Sequence, residues 1–441
     1  MQWRDWLRAR LDGRHEDGRI ARNSGWLIAD KVVRAVIGLP VAILLTRHLG
    51  TEGFGQWSYA MAWFAILSTA AGLGLDGIVV RQMVRQPKCT VTILSSALAM
   101  KLVAGAGAIA VGLTVVSFIN GHDSVIIGLV SILAGSLLFQ AMDVADYWFQ
   151  AQVASRHVVL ARTSAFIVCQ LIKVGLIIAD ASLQAFAWAQ LLESALVALL
   201  LYSTLARHAE KPLRLREFDS ALSLAMLKDA SPLLLAGISV VLYMRIDVLM
   251  LERLASPHEV GIYAAATRLS EFWYAIPMAW VASASPSLLA AHENDVATFE
   301  RRMSGLYRGL FWLAALVATG TTLISGQLVS LLYGDGFEEA GPVLAVHVWA
   351  AIPVFLGVAS SQFLLAENLQ MLSLARTLLG LVVNLVLNLL LIPSFGAIGA
   401  AAATLVSYTV ATMAIGLDNR SRGHAAGMLR APFVSYSRYD R

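Results

Sequence analysis

Ten ionisable side chains stand inside stretches that are otherwise apolar enough to cross a bilayer. Six are basic: Lys31, Arg34, Lys101, Lys173, Arg245 and Arg268. Four are acidic: Asp30, Glu193, Asp247 and Glu271. A charge at bilayer depth costs about 2.5–3.5 kcal/mol even on the lenient insertion scale. Such groups must pair with one another or line a polar cavity between helices. A cavity lined mostly by cations selects an anionic cargo, so the six basic residues are candidate substrate-binding groups. The four carboxylates are candidate ion-coupling groups.

Spacing refines these roles. Asp30 and Lys31 lie four and three residues before Arg34, so all three share one helix face. A closed Asp30–Arg34 pair holding helices together is one reading. Three ionisable groups in five residues exceed what a structural pair needs, which favours a cavity-lining role. Lys101 and Lys173 have no acidic residue within one turn and need a partner on another helix or an anionic ligand. Glu193 stands alone in its helix. Desolvation disfavours the charged form of such a carboxylate, so it is a candidate proton site; a salt bridge to Lys173 or Lys101 competes with that reading. Ser239, Tyr243 and Asp247 follow one helix face, while Arg268, Glu271 and Tyr274 are spaced by three. Structural Arg268–Glu271 or Asp247–Arg268 pairs are the alternative there. Asp143 and Asp146, followed by Tyr147, Trp148 and Phe149, read as an interfacial gate, as do Asp76 and Arg81. Asn384 and Asn388 are placed to bond across helices. His347 reads as a packing residue.

The elements that must position these groups are membrane spans. Of 441 residues, 58% are hydrophobic and 14% charged, against about 25% charged in soluble proteins. Mean hydropathy is +0.69. The net charge of +4 is spread over helix ends and interiors rather than gathered in one patch, which argues against nucleic acid. Cys89 and Cys169 have no CxxC or Cys/His spacing, so no disulfide or metal site is expected. Trp3, Trp6, Leu7 and Leu11 suggest a short amphipathic helix at the membrane surface, and no cleavable signal peptide is expected.

Stretches of about 20 apolar residues can cross a bilayer. Twelve are expected, at roughly 24–46, 53–75, 92–118, 125–147, 159–180, 183–205, 231–251, 261–289, 305–332, 340–365, 374–393 and 396–416. With the N-terminus cytoplasmic, the inner segments hold 24 of the 33 Lys and Arg; Arg47 and Arg253 fall outside. The positive-inside rule therefore places both termini in the cytoplasm. The expected organisation is a basic arm (1–22), a six-helix bundle (23–205), a cytoplasmic linker (206–230), a second six-helix bundle (231–416) and a cytoplasmic tail (417–441). A shift of 206 places Arg47 on Arg253, Gly55 on Gly261, Trp57 on Tyr263 and Ala60 on Ala266. Such a repeat implies two parallel bundles around a central cavity. No G-x-x-x-x-G-K-[ST], H-E-x-x-H or G-x-S-x-G occurs, and no outer loop is long enough for a catalytic domain.

Four segments carry a family resemblance. "RHLGTEGFGQWSYAMAW" follows the first span, and "GLGLDGIVVRQMV" closes the second. "MRIDVLMLERL" and "EVGIYAAATRLSEFWYAIP" run through the seventh and eighth, and "NLVLNLLLIPSFGAIGAAAATLVSY" lies near the end. Over residues 23–416 the chain resembles Wzx-type O-antigen and exopolysaccharide flippases. These belong to the multidrug/oligosaccharidyl-lipid/polysaccharide exporter superfamily, with its MATE-like all-α fold. The resemblance implies a non-enzymatic carrier in the bacterial inner membrane. It would move undecaprenyl-diphosphate-linked repeat units, alongside a polymerase and a chain-length regulator. No cofactor is implied; the absence of an ATP-binding loop favours an H⁺ or Na⁺ gradient, or downstream consumption of the product, as the driving force. The alternatives are a MATE-type drug/cation antiporter, disfavoured by the cationic lining, and a lipid II flippase. A polysaccharide polymerase would need a large outer loop. A major-facilitator sugar porter would need a motif that "DGIVVRQMVRQPK" does not match.

Overall fold

The computed structural model describes residues 2–121, 123–209 and 213–434, with side chains given from residue 23 onward except 24, 27 and 28. The amphipathic face expected on residues 3–11 and the end of the tail, 435–441, thus lie outside what is described. The regular elements among the described residues are all helices. In order they are α1 Gln2–Gly72, α2 Asp76–Arg85, α3 Thr90–Asn120, α4 Ser124–Gln140, α5 Val144–Ala151, α6 Arg156–Ile178 and α7 Leu183–His208. Then follow α8 Ser220–Leu254, α9 Pro257–Glu271, α10 Ala275–Asn294, α11 Val296–Tyr333, α12 Ala340–His347, α13 Ala351–Ala366, α14 Gln370–Met413 and α15 Arg422–Arg430. This is an integral, multi-pass, all-α membrane fold.

Nine stretches among the described residues are long and apolar enough to span, against the twelve expected. The difference has a local cause. The first two expected spans run on through α1 and break only at Gly50, at φ 65°. The last two share α14 and break at Gly396, at φ 53°. Both values lie in the left-handed region that favours glycine. At Gly396 a methyl group would overlap the Glu259 carboxylate. That carboxylate accepts a 2.6 Å hydrogen bond from Ala397 N, restarting the helix with an acidic cap. The eighth expected span is not among the nine; its region is divided into α9 and α10 around the 3₁₀ turn Phe272–Tyr274.

Caps start the other helices where the sequence offers short polar residues. Asp123 accepts from Val125 N and Ile126 N at 3.0 and 3.2 Å. Asp219 does the same for Ala221 N and Leu222 N at 2.9 and 3.0 Å. Ser256 accepts from Glu259 N at 3.3 Å, with Pro257 opening α9. Each such cap contributes about 1 kcal/mol.

The chain packs as two compact units. The first runs to His48 and resumes at Trp63–Ile238; the second takes Leu49–Ala62 and the residues from Ser239 on. In the first unit Leu75, Val79, Ile93, Ala97, Val144 and Met226 form one buried cluster. The segment expected as a linker packs onto this unit, with Asp219 N donating to Ser96 Oγ at 3.0 Å. In the second unit Leu306, Tyr307, Leu310, Phe355 and Ile415 belong to one buried apolar cluster.

The 206-residue repeat has a physical counterpart in the second unit. Gly55 packs against the Pro257 carbonyl, and Gly261 against the Thr51 carbonyl, each so tightly that a methyl group would overlap the oxygen. The repeat exchanges the two contacts, because the shift of 206 carries Thr51 onto Pro257 and Gly55 onto Gly261. Two backbones therefore touch where the repeat aligns two glycines. Gly261→Leu should force the crossing apart at a cost of about 1–3 kcal/mol or more, the usual range for overpacking. The check is the melting temperature of detergent-solubilised protein; an unchanged value would show that the crossing tolerates bulk.

Candidate functional site

The first unit contains a cavity of about 560 Å³ whose polar lining includes Ser68, Asp76, Lys101, Gln140, Asp143 and Arg162. Lys101 comes from α3 and is 5% exposed. Its Nζ donates to Tyr147 Oη at 3.1 Å and lies 3.9 Å from Asp143 Oδ2. Tyr147 in turn donates to Asp76 in a short hydrogen bond. Arg162 on α6 holds Asp143 at 2.8 Å and Asp146 at 3.1 Å. Ser68 donates to Gln140 Oε1 at 2.7 Å on the same wall. Three carboxylates thus face two cations. The sequence reading gave Lys101 a cavity role but took Asp76, Asp143 and Asp146 as gate residues and Arg162 as an inner loop charge. Fold brings all five to one cavity, and local spacing carries no signal for that.

Asp30 and Arg34 are closed on each other: Arg34 Nε donates to both Asp30 oxygens at 3.0 and 3.1 Å. Thr163 on α6 adds a 2.6 Å hydrogen bond to Asp30, and the guanidinium lies 4.9 Å from the Phe166 ring centroid. This is the helix-joining pair weighed against a cavity role. Lys31 is exposed. Asn23 grips the start of α6, accepting from Ser155 N at 2.8 Å. Glu193 is not alone. Lys173 Nζ is 3.5 Å from Glu193 Oε2 and donates to Gln190 Oε1 at 2.9 Å, so the salt-bridge alternative describes both residues.

In the second unit Asp247 is 2% exposed and held by neutral donors. Tyr263 Oη and Thr404 Oγ1 each donate to Oδ2 at 2.7 Å, and Asn388 Nδ2 donates to Oδ1 at 2.5 Å. Asn388 also donates to Asn384 Oδ1 at 3.0 Å, while its own Oδ1 is buried with no hydrogen-bond partner. No cation lies within ion-pair distance of Asp247 among the described residues. The Asp247–Arg268 pair weighed as an alternative is therefore absent there, and Arg268–Glu271 is not a direct pair either. Arg245 and Arg268 both act electrostatically on Glu271 without a carboxylate at ion-pair distance among the described residues. Arg268 is exposed, 6.0 Å from the Phe54 ring centroid. His347 packs as expected, buried and hydrogen-bonded to Ser270 Oγ at 3.0 Å. Arg376, counted in sequence as an inner charge, instead turns onto Ser360 and Ser361 at 2.7 and 2.9 Å.

A model of the family described as "Polysaccharide biosynthesis protein" matches residues 20–285, more than half of the chain. The chain belongs to that family. Residues 232–390 also match the MatE model. Among curated relatives, "Probable flippase AglR" of Haloferax volcanii is 32% identical over 179 residues, 39% of this chain and 37% of the relative. "Probable low-salt glycan biosynthesis flippase Agl15" of the same organism is 27% identical over 172 residues, 39% of this chain and 36% of that one. The chain thus aligns with little more than a third of each relative's length. Among solved structures, an inward-facing MATE-family multidrug resistance transporter aligns with TM-score 0.72 at 14% identity, covering 90% of this chain and 96% of that one. The lipid II flippase MurJ aligns with TM-score 0.73 at 14% identity, covering 92% and 89%. At such identities the chain shares their fold, and the likeness reaches no further.

Proposed function

We propose that the protein is a flippase for lipid-linked oligosaccharides. One observation carries this: membership of a polysaccharide biosynthesis family in a chain built almost wholly of membrane-length helices. The relatives' names agree with it. The finer reading is transfer of undecaprenyl-diphosphate-linked repeat units from the cytoplasmic to the periplasmic leaflet of a bacterial inner membrane. A polymerase and a chain-length regulator would consume the product. Arg245 and Arg268, which have no carboxylate at ion-pair distance among the described residues, are the groups proposed to meet the diphosphate. Arg34 and Lys173 are already neutralised and are proposed as structural.

Ion coupling, to H⁺ or Na⁺, is proposed to act through Asp247. A buried charge needs compensation, and its donors here are all neutral. Asp30 and Glu193 already have cations beside them, and Glu271 shares the field of two arginines.

The deciding experiment is flux of a labelled lipid-linked oligosaccharide in proteoliposomes. Protein-dependent flux supports the reading; drug efflux with no glycan-lipid flux would replace it with an antiporter. Orientation is tested separately. Reporter fusions after residues 88, 156, 215 and 441 should report cytoplasm, and those after 120, 182 and 336 periplasm. A periplasmic C-terminus would overturn the charge-bias argument.

A further inference from the structure

A second concavity of about 690 Å³ lies on the first unit, lined among others by Leu73, Met100, Leu102, Val103, Leu215 and Phe218. All its lining residues are apolar, and its size falls in the range of ligand pockets, about 300–1,000 Å³. Two observations separate it from ordinary lipid-facing surface.

First, one wall is not a span. Leu215 belongs to a three-residue 3₁₀ turn and Phe218 directly follows it. Both lie in the polar segment between α7 and α8, yet both present exposed apolar side chains, at 55% and 46%. A segment bordering water has no reason to line a groove with such groups unless something apolar occupies it.

Second, the groove and the polar cavity share a wall. Gly72 and Gly74 line the cavity, while Leu73 between them lines the groove. Lys101 reaches the cavity, while Met100 and Leu102 on either side line the groove. Leu73 and Gly74 are both left-handed, at φ 56° and 65°. That conformation is unfavourable for leucine, and it carries the chain past the cavity while Leu73 is spent on the groove.

An apolar slot backed by a cavity of hydrogen-bonding and charged groups fits one class of molecule. That class is a long hydrocarbon chain joined through an anionic link to a hydroxyl-rich head. We propose that the groove holds the polyprenyl chain of the transported lipid while the cavity holds its saccharide head, with Lys101 at the junction. This inference rests on the flippase reading and assigns that substrate a loading site within the first unit, occupied at a different stage of transfer from the contacts proposed for Arg245 and Arg268. Arg162 is committed to two aspartates at 2.8 and 3.1 Å. Lys101 keeps only a 3.1 Å bond to a tyrosine and a 3.9 Å approach to Asp143, so it is the cation free to turn to the anionic link. The carboxylates, Gln140 and Ser68 suit sugar hydroxyls, which accept and donate at once.

The test uses the full-length protein in phospholipid nanodiscs. A photoreactive side chain is placed at Val103 in the groove, and as a control at Phe118, which is 90% exposed on the same helix. The probe is a radiolabelled long-chain polyprenyl diphosphate. Labelling at position 103 should exceed that at 118 at least tenfold. Unlabelled probe should compete it away, and added phosphatidylglycerol should not. Ala104→Trp, which fills the groove, should abolish selective labelling. Phe218→Ser, at an exposed side chain, should weaken it and serves if the tryptophan variant fails to fold. Lys101→Gln should weaken labelling severalfold. Equal labelling at both positions, or equal competition by phosphatidylglycerol, would overturn the proposal. Glycan-lipid flux of the same proteins in proteoliposomes separates the two ideas. Flux with unselective labelling removes the groove and leaves the flippase. Absence of flux in the unmodified protein removes the flippase reading whatever the labelling.

Discussion

Alanine at Arg268 or Arg245 is expected to cut glycan-lipid flux roughly ten- to hundredfold while leaving the protein folded in the membrane. A charge-assisted hydrogen bond to phosphate is worth about 1.5–3 kcal/mol, and about 1.4 kcal/mol is tenfold. Neither arginine balances a carboxylate at ion-pair distance among the described residues. Its removal breaks no direct ion pair and leaves Glu271 in the field of the other arginine, whereas breaking a closed buried pair is what makes the loss of many membrane cations structural. Arg268→Lys should be milder, since it keeps the charge but loses the planar fork. Arg34→Ala should behave differently. It leaves Asp30 with only the Thr163 hydroxyl, so the amount of folded protein should fall with flux. The measurement is flux normalised to protein content. If both Arg245→Ala and Arg268→Ala transport normally at native levels, the diphosphate is held elsewhere.

How much of this was legible in the sequence differs from residue to residue. The class of fold was legible because it rests on summed apolarity, which needs no partner. The glycines were half legible. Gly55 and Gly261 could be aligned by offset, but only the fold brings each against the other segment's carbonyl. Gly50 lies in the link between the first two expected spans and Gly396 opens the last one, yet nothing local says that helix resumes almost at once on both sides. For the ionisable groups, same-helix pairing was readable: Asp30 and Arg34, four apart, close on each other. Pairing across helices was readable only as an alternative, as with Lys173 and Glu193, 20 residues apart. The Asp76–Tyr147–Lys101 chain spans three helices that no periodicity links, so sequence scattered one site among a gate, a boundary and a cavity. The substrate-binding assignments treated every membrane cation alike, whereas the fold divides them into neutralised and uncommitted.

Asp247→Asn should leave passive flux near normal and remove its acceleration by an ion gradient. The physical ground is the imbalance around this side chain. Tyr263, Thr404 and Asn388 satisfy its oxygens with dipoles, and dipoles do not cancel a net charge at 2% exposure. A proton on Asp247 would cancel it. So would a small cation, with the unpartnered Asn388 Oδ1 as a further oxygen, since oxygen ligands suit hard cations. Either event changes what Asn388 and Thr404 must do, and both sit on α14, so loading Asp247 would shift the packing of α14 against α8 and α9. Asparagine keeps the shape and the hydrogen-bonding capacity but removes the charge, because the hydroxyls of Tyr263 and Thr404 can turn to accept. A purely structural Asp247 should therefore survive the change with its transport, gradient response included. The measurement is flux of labelled glycan-lipid in proteoliposomes with and without imposed proton and sodium gradients, for the unmodified protein and the variant. A variant that responds to the gradient as the unmodified protein does would take coupling away from Asp247. Glu271, beside Arg245 and Arg268 in the same unit, would be the carboxylate to test next.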